Sequence, residues 1–153
     1  MSKKILLIED EEVLSRAIAA ELKSAGFRVS RAFDGEEGLK QALNIKPDLI
    51  LLDLMLPKKN GFEVLEELKK SPTTKDIVVI IITALDQDEE IKKGLKLGAD
   101  DYFVKSQHAL GEIIEKVNDF FTSSPSDGAR DEISGEAGYH PRIIDLRESK
   151  RKK

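Results

Sequence analysis

The sequence has no cysteine and only two histidines, His108 and His140. Disulfides and thiolate metal sites are thereby excluded, which suits a reducing compartment. Lone histidines are more often surface residues than ligands, and neither is assigned a role. Net positive charge is missing too. The 25 Lys and Arg face 29 Asp and Glu, leaving −4, the wrong sign for wholesale nucleic-acid coating. The first apolar run, Ile5 to Ile8, directly follows Met1-Ser2-Lys3-Lys4 and is too short for a signal peptide or a membrane span. The expectation is a cytoplasmic protein with no membrane association.

What is present is an ordinary globular composition, 40% hydrophobic and 35% charged over 153 residues, enough for one domain and an appendage. Apolar runs alternate with amphipathic stretches. Ile5-Leu6-Leu7-Ile8 reads as a buried strand that stops at Glu9-Asp10-Glu11-Glu12. A helix follows, with Val13, Leu14, Ala17, Ile18, Leu22 and Ala25 at helical spacing and Gly26 as its stop. Phe27 to Arg31 reads as a short strand, and Asp34 can cap a helix over Glu36 to Leu43. Leu49 to Leu52 is a buried strand leading into Asp53-Leu54-Met55-Leu56-Pro57. Further helices are predicted over Gly61 to Lys70, Asp88 to Leu97 and Leu110 to Phe121. Further strands are predicted over Ile77 to Ile82 and Asp101 to Val104. Five β–α units imply an α/β fold: a doubly wound parallel sheet of five strands with helices on both faces.

Such sheets bind ligands beyond the carboxyl ends of their strands, where strand order reverses. The residues at those ends are Glu9 and Asp10, Asp53, Thr83 and Lys105. Taken singly each is most simply a loop residue or cap, and Asp10 suits an N-cap. Five polar residues closing four of five predicted strands is a weightier signal. Three converging carboxylates repel one another unless a cation sits among them. An oxygen-only donor set suits a hard ion such as Mg²⁺. Lys105 adds a positive charge and Thr83 a hydroxyl. Together these could receive a phosphoryl group and leave one carboxylate as nucleophile.

Four motifs then stand in order: Ile8-Glu9-Asp10-Glu11, Asp53-Leu54-Met55-Leu56-Pro57 with Gly61, Thr83-Ala84, and Gly98-Ala99-Asp100-Asp101-Tyr102-Phe103-Val104-Lys105. From Lys3 to about Phe121 the chain resembles the response-regulator receiver domain of two-component signalling. The resemblance implies a flavodoxin-like sheet of order 2-1-3-4-5 and a receiver over residues 1–122. Asp53 would accept a phosphoryl group from a sensor histidine kinase or phosphotransfer protein. Glu9, Asp10, Asp53 and the backbone carbonyl of Met55 would hold Mg²⁺, and Lys105 would pair with Asp53 and then with the phosphoryl oxygens. Thr83 and Tyr102 would be the switch, altering the face formed by the fourth helix, fifth strand and fifth helix, where a target protein or a second copy would bind. Beyond self-phosphorylation and slow self-dephosphorylation, no enzymatic activity is implied.

Three positions depart from the family's pattern or tune it. Glu9 stands where Asp is commoner. Lys105-Ser106 stands where the family usually has Lys-Pro in cis. A non-proline cis bond costs about 3–4 kcal/mol, so this peptide is expected to be strained, or trans with Lys105 repositioned. Met55 and Leu85, two residues past Asp53 and Thr83, should hinder the hydrolytic water and prolong the phosphoryl state.

From Ser123 the composition turns polar, with Ser-Ser-Pro-Ser-Asp-Gly and mixed charges, which reads as a flexible tail. Residues 139–147 form a small apolar island that could be a short docking motif. About thirty residues cannot hold a winged helix, so the expectation is a stand-alone regulator without a DNA-binding domain, acting through protein contacts. The rivals are a degenerate, phosphorylation-independent adaptor and an aspartyl-phosphate phosphohydrolase. A flavin carrier of the same fold is disfavoured, because Glu9-Asp10-Glu11-Glu12 would repel the flavin phosphate.

Overall fold

The expected alternation is realised in the computed structural model, which describes residues 2–122. The polar tail, the 139–147 segment and His140 lie outside the described residues. The strands are β1 (Lys4–Ile8), β2 (Arg28–Ala32), β3 (Leu49–Leu52), β4 (Val78–Thr83) and β5 (Asp101–Val104). The helices are α1 (Glu12–Ser24), α2 (Gly35–Ile45), α3 (Gly61–Lys70), α4 (Asp88–Lys96) and α5 (Leu110–Thr122), with a single 3₁₀ turn at Lys105–Gln107. Two compact units divide the chain, one carrying β1 to β5 and α1 to α4, the other carrying α5.

All strand pairs are parallel, in the order β2-β1-β3-β4-β5. The chain steps one way across the sheet from β1 to β2, then back past β1 to β3. Right-handed crossovers therefore put α1 on one face and α2 on the other, and α3 and α4 continue in the direction of α2. Consistent with that, α2 packs on α3, and Lys93 Nζ of α4 lies 4.3 Å from the Phe62 ring centroid of α3. Leu49, Ile50, Leu51 and Leu52 are each 0% exposed. A strand covered on both faces has no polar side, which is why the run is unbroken.

Helix ends follow local chemistry. The Asp34 carboxylate accepts the Glu37 N–H at 2.7 Å and caps α2 as expected. Asn60 and Glu63 form a reciprocal capping box on α3. Gly26 (φ +99°) and Gly98 (φ +117°) follow α1 and α4 in the left-handed region that only glycine enters freely. In α5, Ile113 and Val117 are buried, and the Glu112 carboxylate accepts the Ala109 N–H at 2.9 Å.

The expected inner stripe of α1 needs correction. Val13 is 78% exposed and Ala17 is exposed, whereas Ser15, Ile18, Ala19 and Leu22 are buried. At about 100° per residue those four share one face and Val13 lies well off it. Ser15 was concealed by its polarity. Its hydroxyl accepts from Arg31 Nη1 at 3.4 Å.

Candidate functional site

Strand order reverses between β1 and β3, so Glu9 and Asp53 leave the sheet side by side. The Glu9 N–H donates to the Ala32 carbonyl and the Asp53 N–H to the Ile8 carbonyl, both at 3.0 Å. These bonds continue the ladder past the strand ends and fix where each carboxylate starts. Glu9 is 2% exposed and Asp53 4%, while Asp10 is exposed. One carboxylate oxygen from each of the three lies within 4.8 Å of the others. Asp10 is not the N-cap of α1; Glu11 holds that position, without a side-chain cap bond.

Two buried carboxylates are costly without a cation. Lys105 supplies one, its Nζ lying 2.9 Å from Glu9 Oε1, 3.1 Å from Asp53 Oδ2 and 3.8 Å from Glu11 Oε1. Its peptide bond to Ser106 is trans, and the 3₁₀ turn beginning at Lys105 brings the ammonium to both acids without a cis bond. Burial, and then the Asp53 charge, push the Glu9 carboxyl up to about 7 despite its hydrogen bond to Lys105. Burial works against the Lys105 charge, yet the hydrogen bond to Glu9 and the Asp53 carboxylate outweigh it and raise the ammonium's pKa. One ammonium does not balance the negative charge gathered here. The oxygen donors of Glu9, Asp10 and Asp53, with no histidine or cysteine among them, fit a hard divalent cation.

The Asp53 carboxylate is held at both oxygens: Oδ1 accepts the Met55 N–H at 3.1 Å and Oδ2 accepts from Lys105. The Met55 side chain is 55% exposed. Thr83 is 0% exposed, and its hydroxyl accepts the Leu85 N–H at 3.5 Å. Tyr102, 2% exposed, points inward and donates its hydroxyl to the Leu85 carbonyl at 2.8 Å. Both predicted switch residues thus meet at the Leu85 backbone. The sequence had marked Leu85 for its side chain alone. The contacts of Lys105 with Glu9 and Glu11 were also not anticipated, although the run of four acids after β1 was their only legible sign. His108 packs edge-on against Phe103, ring centroids 5.0 Å apart.

Residues 5–118 match the response regulator receiver domain. The chain belongs to the response-regulator receiver family. It is 43% identical over 102 residues to the DNA-binding dual master transcriptional regulator RpaA of Synechocystis, a match spanning 67% of this chain and 42% of that protein. The chain therefore covers less than half the length of that relative. Among solved structures, this receiver is similar to the Mn(2+)-bound response regulator Rcp1, with TM-score 0.69 and 31% identity, covering 78% of this chain and 94% of that one. It is also similar to the phosphorylated cyanobacterial phytochrome response regulator RcpA, with TM-score 0.70 and 33% identity, covering 81% and 96%. None of the described helices of the receiver is long and apolar enough to cross a membrane.

Proposed function

We propose that this receiver accepts a phosphoryl group on Asp53 from a phosphohistidine of a sensor kinase or phosphotransfer protein, and signals through phosphorylation-dependent protein contacts. The observation that carries this reading is Lys105 Nζ lying between the Glu9 and Asp53 carboxylates, with Asp10 in the same cluster. A purely structural ion pair needs two charges, and this site gathers three acids around one ammonium.

In the proposed reaction an Asp53 carboxylate oxygen attacks phosphorus, an O–P bond forms, and the N–P bond to the donor imidazole breaks. The Met55 N–H on Oδ1 orients the carboxylate so that one oxygen is presented to the incoming group. The Lys105 ammonium exchanges a carboxylate partner for a phosphoryl oxygen, so positive charge is in place where negative charge arrives. Glu9, Asp10 and Asp53, with the Met55 carbonyl, would hold Mg²⁺, which when bound neutralises charge on the transferring group. The Thr83 hydroxyl hydrogen-bonds the new phosphoryl oxygens. Thr83 and Tyr102 both touch Leu85, so capture of Thr83 shifts the β4–α4 loop and the surface beside α4 and β5. The added charge of about −1.5 to −2 drives that shift. In this reading the receiver occupies residues 1–122, works in the cytoplasm and has no turnover beyond loss of its own phosphoryl group.

Incubation with Mg²⁺ and a small phosphodonor tests the proposal. Mass spectrometry should show one added phosphoryl group, absent in Asp53→Ala. No addition in the wild type would favour the phosphorylation-independent adaptor.

A further inference from the structure

Helix α4 has a glycine in its interior, Gly94, although glycine is among the poorest helix formers. Gly94 is buried, and the space beside it explains the choice. A Cβ there would lie 2.7 Å from Ile81 Cδ1 and 3.3 Å from both Cδ2 and Cε2 of Tyr102. Ile81 and Tyr102 are direct partners in the β4–β5 ladder, so their side chains stand together on the face that α4 covers. Ile81 Cδ1 and the Tyr102 ring thus border the space beside Gly94 together. The Tyr102 hydroxyl meanwhile reaches past α4 to the Leu85 carbonyl at 2.8 Å. Ring position, loop grip and the missing side chain are one arrangement.

We propose that Gly94 is a positioning residue for the switch: its absent side chain is the space that keeps the Tyr102 ring inward with its hydroxyl on Leu85. A methyl at this position biases the ring outward and frees the β4–α4 loop. The proposal deepens the reading of Tyr102 as a switch residue and rests on it for its consequence. Its structural content is read without phosphorylation, so failure here is distinguishable from failure of Asp53 to accept phosphate.

The test uses the full chain carrying Tyr139→Phe. The sequence has two tyrosines and no tryptophan, so Tyr102 is then the sole strong fluorophore. Acrylamide quenching should be weak in this background and several-fold stronger once Gly94→Ala is added. Adding Ile81→Val, which removes the methyl nearest residue 94, should leave most of that increase in place, because the 3.3 Å contacts with the Tyr102 ring remain. Unchanged quenching in Gly94→Ala overturns the proposal. Full return to the starting value with Ile81→Val also overturns it, because the conflict would then lie with Ile81 and not with the ring. If Gly94→Ala does not fold, the measurement becomes the thermal melt of Tyr102→Ala with and without Gly94→Ala. With the ring gone, alanine should fold and raise Tm through its better helix propensity. Failure of that double variant to fold places the conflict at Ile81 and overturns the proposal.

Discussion

At the amino end of the strands, Asp48 and Asp100 sit just before β3 and β5 and bind backbone in the same way. The Asp48 carboxylate accepts the Lys4 N–H at 2.8 Å, while the Asp48 N–H donates to the Lys4 carbonyl at 2.8 Å. The Asp100 carboxylate accepts the Val79 N–H at 2.9 Å, while its N–H donates to the Val79 carbonyl at 2.7 Å. Lys69 adds to that end, its ammonium donating to the carbonyls of Lys75 and Ile77. At the carboxyl end the same residue types are arranged differently. Glu9, Asp10 and Asp53 crowd together, and Lys105 pairs with Glu9 and Asp53. A carboxylate closing a backbone ring holds the sheet in register. Carboxylates crowding one another store repulsion that a cation can relieve.

The largest expected difference between the ends is in labelling. Asp53→Ala should abolish phosphoryl uptake from a small donor while leaving Tm unchanged or higher, because removing one buried acid relieves Glu9. Mass spectrometry and thermal melts on one sample read both. A clear fall in Tm would mean that Asp53 is a staple like Asp100, and the contrast would collapse.

Lys105→Ala comes next. Removing the ammonium leaves Glu9 and Asp53 buried without their partner, which costs about 3 kcal/mol without divalent ions. Mg²⁺ should restore most of that loss, because it stabilises the folded state to which it binds. Urea melts with and without Mg²⁺ give the value. A loss that Mg²⁺ does not reduce would count against the acids as its site.

At the other end, Asp100→Ala leaves the Val79 N–H without its acceptor and should cost about 2 kcal/mol. It should leave phosphoryl uptake unchanged and show no Mg²⁺ dependence. Impaired uptake would show that the two ends are coupled.

A smaller effect is one of sign. The Glu9 carboxyl is raised from 4.5 to about 7, by burial first and by Asp53 second. Between those values the folded protein binds more protons than the unfolded chain, so stability falls as pH rises. Without divalent ions the contribution is full below about 4.5 and lost by about 7. Glu9→Gln, scanned beside the wild type, should flatten that part of the Tm–pH curve. Asp100 is also raised by burial, although its bond from Val79 works against the shift; Glu9→Gln leaves this contribution in place.

Sequence legibility divides along the same line. The strand-end residues Glu9, Asp53, Thr83 and Lys105 each close an apolar run, and parallel pairing brings such ends to one edge, so the cluster could be read in advance. The order β2-β1-β3-β4-β5 came from the family resemblance rather than from periodicity. Val13 reads as part of the apolar stripe yet lies outside, and Ser15 gives no apolar signal yet is buried, because polarity is a poor guide to which face of α1 turns inward. The Leu85 junction stays hidden because the Thr83 and Tyr102 hydroxyls meet there on backbone atoms of Leu85, which no side-chain pattern advertises. The rings at Asp48 and Asp100 are hidden likewise, because their carboxylates bind backbone groups of Lys4 and Val79.

The smallest expected effect concerns how long a phosphoryl group would stay at the crowded end. Met55 is 55% exposed beside Asp53, and Leu85 is half-buried two residues past Thr83. Neither apolar side chain could hydrogen-bond the water that would hydrolyse a phosphoryl group on Asp53. Met55→Asn and Leu85→Glu would supply polar groups on that approach, and the pair should speed dephosphorylation several-fold without changing phosphoryl uptake. Loss of label with time, measured for wild type and double variant in Mg²⁺, decides it. An unchanged rate would mean that water is limited by backbone geometry at Leu85 instead. Both substitutions should leave the amino end untouched, so Tm should move little.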